Sequence, residues 1–143
     1  MSSQYHRTFL SIDYGKRRIG LAKSDPLGII ASALKTLEVK SRREAVQKVG
    51  EVITEIQPNA IVIGYPRHVS GDRSPMCDEI DRFLSELASE WNGTVHKVDE
   101  EYSSSEAVEL IREGGKRPGK QKGKIDTMAA VVILRRFLEE HAA

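Results

Sequence analysis

The sequence predicts an α/β fold, a mixed five-stranded sheet with helices on both faces. Three observations carry this. Up to Leu37 the chain consists of short apolar runs separated by turn-forming residues. Past residue 40, apolar residues recur at helical spacing in blocks. Between those blocks lie short apolar runs without alternation, as expected of strands covered on both faces. An antiparallel meander followed by alternating helix and strand leaves the later strands parallel.

The first strand runs from Thr8 to Ile12 and stops at Asp13. Ile19 to Ala22 is the second, and the turn between them contains Gly15. A third strand is predicted over residues 28–37. Ser41 and Glu44 form an S-x-x-E capping box that opens a helix. Ala45, Val46, Val49, Val52, Ile53 and Ile56 make its apolar face, and Pro58 ends it. Ala60 to Ile63 is the fourth strand, with Gly64 predicted to close it. Ser74-Pro75 starts a helix whose face carries Met76, Cys77, Ile80, Phe83, Leu84 and Leu87. Asn92-Gly93 breaks the pattern before the fifth strand, Thr94 to Val98. Ser103 and Glu106 form a second capping box, and Gly114-Gly115 closes that helix. A last helix is predicted from near Ile125 to about Glu140. Nothing suggests a repeat or a second domain, so residues 1–143 are read as one.

The composition narrows the function classes. At 143 residues and 39% hydrophobic, the chain can bury a core without staples. One cysteine, Cys77, allows neither an internal disulfide nor a multi-cysteine zinc site. The first residues are polar and no run reaches membrane-spanning length, so a cytoplasmic protein without membrane contact is expected. Net charge is +1, yet residues 116–124, KRPGKQKGK, hold five basic residues and no acid. Taking those five from the chain's 22 leaves 17 basic residues against 21 acidic. That clustering is the footprint of a polyanion partner, or else a solvated loop kept polar by its lysines.

Ligand sites in open α/β sheets lie beyond the carboxyl ends of strands. Asp13 ends the first strand, and Asp99 and Glu100 end the last. Asp126 opens the final helix on the same face as Ala130, Ile133 and Phe137, where a charge is costly unless paired or bound to metal. It can alternatively serve as the N-cap of that helix. Taken together, Asp13, Glu100 and Asp126 can converge at one sheet edge, where their mutual repulsion calls for a cation. All-oxygen ligation suits Mg²⁺ or Mn²⁺, and one or two such ions can drive phosphodiester cleavage. Lys16, Arg17 and Arg18 follow Asp13 directly and would meet a phosphate backbone, as would Arg67 and the basic residues Lys120, Lys122 and Lys124.

These residues carry a resemblance. Asp13-Tyr14-Gly15-Lys16-Arg17-Arg18-Ile19-Gly20-Leu21-Ala22 matches D-x-G-x-x-R-I-G-x-A. Ile63-Gly64-Tyr65-Pro66 with Gly71, Asp99-Glu100-Glu101 with Ser103-Ser104, and Lys124-Ile125-Asp126 with Ala129-Ala130 come after it in order. Over residues 9–138 the chain resembles the YqgF (RuvX) family of pre-16S ribosomal RNA nucleases, also called Holliday junction resolvase-like proteins. The resemblance implies an RNase H-like fold and Asp13, Glu100 and Asp126 as metal-binding catalytic acids. It further implies maturation of the 5′ end of 16S ribosomal RNA in ribosome precursors. A junction resolvase acting on branched DNA and a nucleic-acid-binding assembly factor with little or no catalysis are the alternatives. One departure stands out: where the family has Arg after D-E, this chain has Glu101. If that Arg holds phosphate, a contact worth about 1.5–3 kcal/mol is missing. Tyr65 and Tyr102 read as partly buried rim residues, with stacking on an unpaired base as the alternative.

Overall fold

The computed structural model describes residues 8–66, 75–99 and 122–141, the first four of the last segment by backbone alone. Its elements are β1 (Phe9–Asp13), β2 (Arg18–Ser24), β3 (Ala31–Glu38), α1 (Arg42–Ile56), β4 (Ala60–Tyr65), α2 (Pro75–Leu87), β5 (Thr94–Asp99) and α3 (Lys122–Glu140). The helix predicted over Ser103 to Gly114 lies outside the described residues.

The strands form one sheet in the order β3-β2-β1-β4-β5. β1, β2 and β3 are antiparallel neighbours, whereas β1 with β4 and β4 with β5 are parallel. This is the predicted meander followed by parallel strands. Alternation along β1 divides the interior in two. Leu10 and Ile12 join a core with Val49 and Val52 of α1 and Ile80 and Phe83 of α2. On the other face Ala22, Val62 and Val98 pack against Ala130, Ile133, Leu134 and Phe137 of α3. All six residues of β4 are buried because both faces are covered, which is why its sequence does not alternate.

Local chemistry sets most boundaries. Ser41 caps α1 by accepting from the Glu44 amide at 3.1 Å, and the Glu44 carboxylate accepts from the Lys40 amide at 3.0 Å. Gln57, in the left-handed region at φ 52°, ends the helix before Pro58. Cys77 is buried and its thiol donates to the Pro66 carbonyl at 2.9 Å.

Several boundaries differ from expectation, and β2 extends to Ser24. β3 starts at Ala31 rather than residue 28, because one oxygen of Asp25 accepts from the amides of Ile29 and Ile30 at 2.7 and 2.9 Å and bends the chain. Those two amides hold the Asp25 carboxyl below its ordinary value, and Leu27, Ile29 and Ile30 are left exposed at the tip. β4 continues through Gly64 to Tyr65, since these residues pair with Val98 and Asp99. α3 begins at Lys122, a turn before the predicted start.

α3 is anchored at both ends. Ser11, fully buried, donates its hydroxyl to the Ala130 carbonyl at 2.8 Å. Phe137 meets Phe9 edge-on at 5.0 Å between centroids and lies 4.7 Å from His96. His141 stacks on Phe137 at 4.1 Å. His96 therefore faces α3, and burial, helped by His141, holds its imidazole below the ordinary value.

Candidate active site

Asp13 is the last residue of β1 and lies on the same face as Phe9 and Ser11, the face covered by α3. Its partner across the strand pair is Gly20 of β2. Gly20 lacks the atom that decides the packing here. A Cβ at that position would overlap the Asp126 carbonyl oxygen and stand 3.0 Å from the Asp126 Cβ. The start of α3 thus rests directly on Gly20, the residue paired with Asp13 on the neighbouring strand.

Arg18 lies two residues before Gly20, on the same face. Its Nε donates to Asp126 Oδ2 at 2.9 Å, with the two side chains 37% and 19% exposed. Asp126 stands four residues inside α3, so it is not the N-cap considered from sequence. Its charge is matched by Arg18 instead. Lys16 and Arg17 are exposed in the β1–β2 turn. That turn is tight: a Cβ on Gly15 would stand 2.5 Å from the Arg18 carbonyl oxygen. The Asp13-to-Arg18 stretch is therefore a compact turn that puts bases beside a strand-end carboxylate.

The end of β1 is fixed from the other face as well. Tyr14 is buried, packs on Phe83 at 4.6 Å and donates its hydroxyl to Glu79 Oε2 at 2.8 Å. Burial and the Glu79 carboxylate push its phenol well above the ordinary range. Glu79 also accepts from Arg42 at 3.2 Å, so α1 and α2 hold this strand end together. Gly20, Ser11 and Tyr14 are site-positioning residues to which sequence reading assigns no role. A glycine between two buried apolar residues, Ile19 and Leu21, was the available signal.

Other predicted residues are placed differently or fall elsewhere. Glu100, Glu101, Tyr102, Arg67 and Lys120 lie outside the described residues, and Lys122 and Lys124 belong to the first turn of α3 by backbone. Asp99 is exposed, and its carbonyl accepts from Arg136 at 3.0 Å. Tyr65 is not a stacking platform. It is buried on the α1–α2 side, donates to Asp81 at 3.1 Å and lies 4.4 Å beneath the Lys97 ammonium. Burial, with Cys77 and Asp81 beside it, pushes its phenol up to about 12. A cavity of about 630 Å³ between β3 and α1 is lined by residues including Lys35, Lys48 and Glu55; Arg18 touches it, but Asp13 and Asp126 do not.

Among the described residues no three His, Cys, Asp or Glu side chains are grouped to hold an ion. Of the three expected acids, Asp13 ends β1 and Asp126 stands over its strand partner Gly20, where Asp126 holds the Arg18 side chain. Carboxylate oxygens are hard donors and fit Mg²⁺ or Mn²⁺ chemically, with Arg18 holding one of them in their place.

The model of the RuvX family, described as Holliday junction resolvase, matches residues 7–140. This chain belongs to the RuvX family. Among curated RuvX relatives, a Koribacter versatilis protein is 39% identical over 96% of this chain and 90% of its own length. A Ruminiclostridium cellulolyticum protein is 37% identical over 93% and 94%, and one from Chlorobaculum tepidum 34% over 99% and 100%. All three carry the name "Putative pre-16S rRNA nuclease". The RuvX fold is also that of solved resolvases, and so RNase H-like. Thermus thermophilus RuvC in complex with a Holliday junction superposes at TM-score 0.62 with 16% identity, covering 96% of this chain and 98% of that one. Fowlpox virus resolvase bound to junction DNA superposes at 0.58 with 13% identity, covering 95% and 99%.

Proposed function

We propose that this RuvX-family nuclease is a metal-dependent endonuclease that hydrolyses phosphodiester bonds at the 5′ end of precursor 16S ribosomal RNA. The observation that carries the reading is the seating of Asp126 on Gly20, the strand partner of Asp13 at the carboxyl end of β1. Relatives at 34–39% identity carrying the pre-16S rRNA nuclease name support the choice of substrate.

Asp13, Asp126 and Glu100 are the residues that would hold Mg²⁺ or Mn²⁺. Such an ion, when bound, polarises a phosphoryl oxygen and lowers the pKa of an attacking water. The chain's own residues supply placement. Gly20 and Ser11 set the distance between α3 and β1. Lys16 and Arg17, exposed in the turn beside Asp13, take phosphates of the substrate backbone. Arg67, Lys120, Lys122 and Lys124 extend that basic set. Phosphate contacts fix register without reading bases, so the shape of a structured RNA selects the bond to be cut. Among the described residues no helix is long and apolar enough to cross a membrane, and we place the activity in the cytoplasm, on ribosome precursors.

The family model's own description favours a second reading, a nuclease of branched DNA. Incubating the protein and Mn²⁺ with a precursor 16S fragment and, separately, a four-way DNA junction separates the two. The proposal expects cleavage of the RNA near its mature 5′ end and an intact junction. Paired symmetric cuts in the junction with untouched RNA would establish the second reading. Tight RNA binding without cutting would identify an assembly factor.

A further inference from the structure

Arg18 occupies the Asp126 carboxylate that the proposed ion would need. Its Nε, not the tips of the guanidinium, makes the bond to Oδ2 at 2.9 Å. The rest of the fork is not committed by that bond, and the side chain is 37% exposed, open enough to turn outward. Arg18 starts β2, next to the exposed Lys16 and Arg17. A guanidinium leaving Asp126 therefore joins a basic turn.

We infer that Arg18 is a placeholder cation: it neutralises Asp126 before the metal arrives, is displaced when the metal binds, and then takes a substrate phosphate. The inference rests on the metal-nuclease reading above and adds a coupling to it. Metal binding by itself is weakened, because the ion must displace a charge-assisted hydrogen bond. Nucleic-acid binding is strengthened by metal, because the metal releases a phosphate ligand. The two ligands thus favour each other's binding, and by linkage the factor is the same in both directions.

The test uses Mn²⁺ alone as probe, with the free-ion paramagnetic signal reporting affinity, on folded wild type, Arg18→Gln, Arg17→Gln and Asp126→Asn. Arg18→Gln is expected to bind Mn²⁺ about two- to fivefold tighter, the range for losing a partly exposed ion-pair competitor. Arg17→Gln removes the same charge one residue away and should change Mn²⁺ affinity less than about twofold, since exposed charges are screened. With a precursor RNA fragment as second ligand, Mn²⁺ should raise the affinity of wild type more than that of Arg18→Gln. Arg18→Lys, which keeps the charge but not the Nε geometry, should fall between. A structural clamp predicts unchanged or weaker Mn²⁺ binding by Arg18→Gln, and that result overturns the inference while leaving the nuclease standing. Wild type and Asp126→Asn that are equally blind to Mn²⁺ would overturn both.

Discussion

Asp126→Asn is expected to fold and bind RNA while losing cleavage by more than about 100-fold. Changing a group one step removed from a metal already costs up to that factor, so a direct ligand should cost more. The side chain is isosteric, and Asp126 stands inside α3 rather than at its cap. Its ion pair with Arg18 is partly open to solvent, which limits the stability loss to about 1 kcal/mol. RNA affinity should hold, because the bases that meet phosphate remain. Single-turnover cleavage, fluorescence anisotropy with labelled RNA and urea unfolding measure the three quantities separately. Unfolding of the variant would show Asp126 to be structural and withdraw it from the site.

Among the described glycines, Gly20→Ala should be the most damaging change. The added methyl would overlap the Asp126 carbonyl oxygen, which belongs to a helix backbone and cannot rotate away. Either α3 lifts off β2 or β2 shifts against β1. Strain of this kind costs about 1–3 kcal/mol in cores, and contact with backbone rather than a side chain puts Gly20→Ala at or above the top of that range. Cleavage should fall even at temperatures where the variant is folded, since Asp126 moves relative to Asp13 while every acid is retained. Thermal unfolding together with cleavage at low temperature checks both parts. Wild-type stability would mean that α3 seats itself without Gly20.

Both predictions turn on features that are unevenly legible in sequence. The succession of strands and helices was readable because β1 and β4 are short apolar runs, and because Ser41, Glu44 and Pro58 mark α1 at both ends. Asp13 and Asp126 stood out as charges at a strand end and on an apolar helix face. The contact that joins them was hidden. Gly20 reads as one letter of a motif, and its role depends on a contact between residues 106 positions apart in the chain. Arg18 reads as one base among three, yet it starts β2 and pairs with Asp126, while Lys16 and Arg17 are exposed in the turn before it. The apolar residues 28–30 read as strand because the bend is made by the side chain of Asp25, a long-reach hydrogen bond that propensity does not register. The start of α3 was placed late because its first turn is K-G-K, a helix-poor sequence carried by the apolar turns C-terminal to it.

The central claim, that metal held by these acids cuts RNA, is tested most directly by one assay. A precursor 16S fragment is incubated with wild-type protein in Mn²⁺, Mg²⁺ or EDTA, and with Asp13→Asn protein in Mn²⁺. The account predicts cutting by wild type in either metal, none in EDTA, and loss in Asp13→Asn of the same order as in Asp126→Asn. Cleavage that persists in EDTA, or at wild-type rate in folded Asp13→Asn, would contradict it.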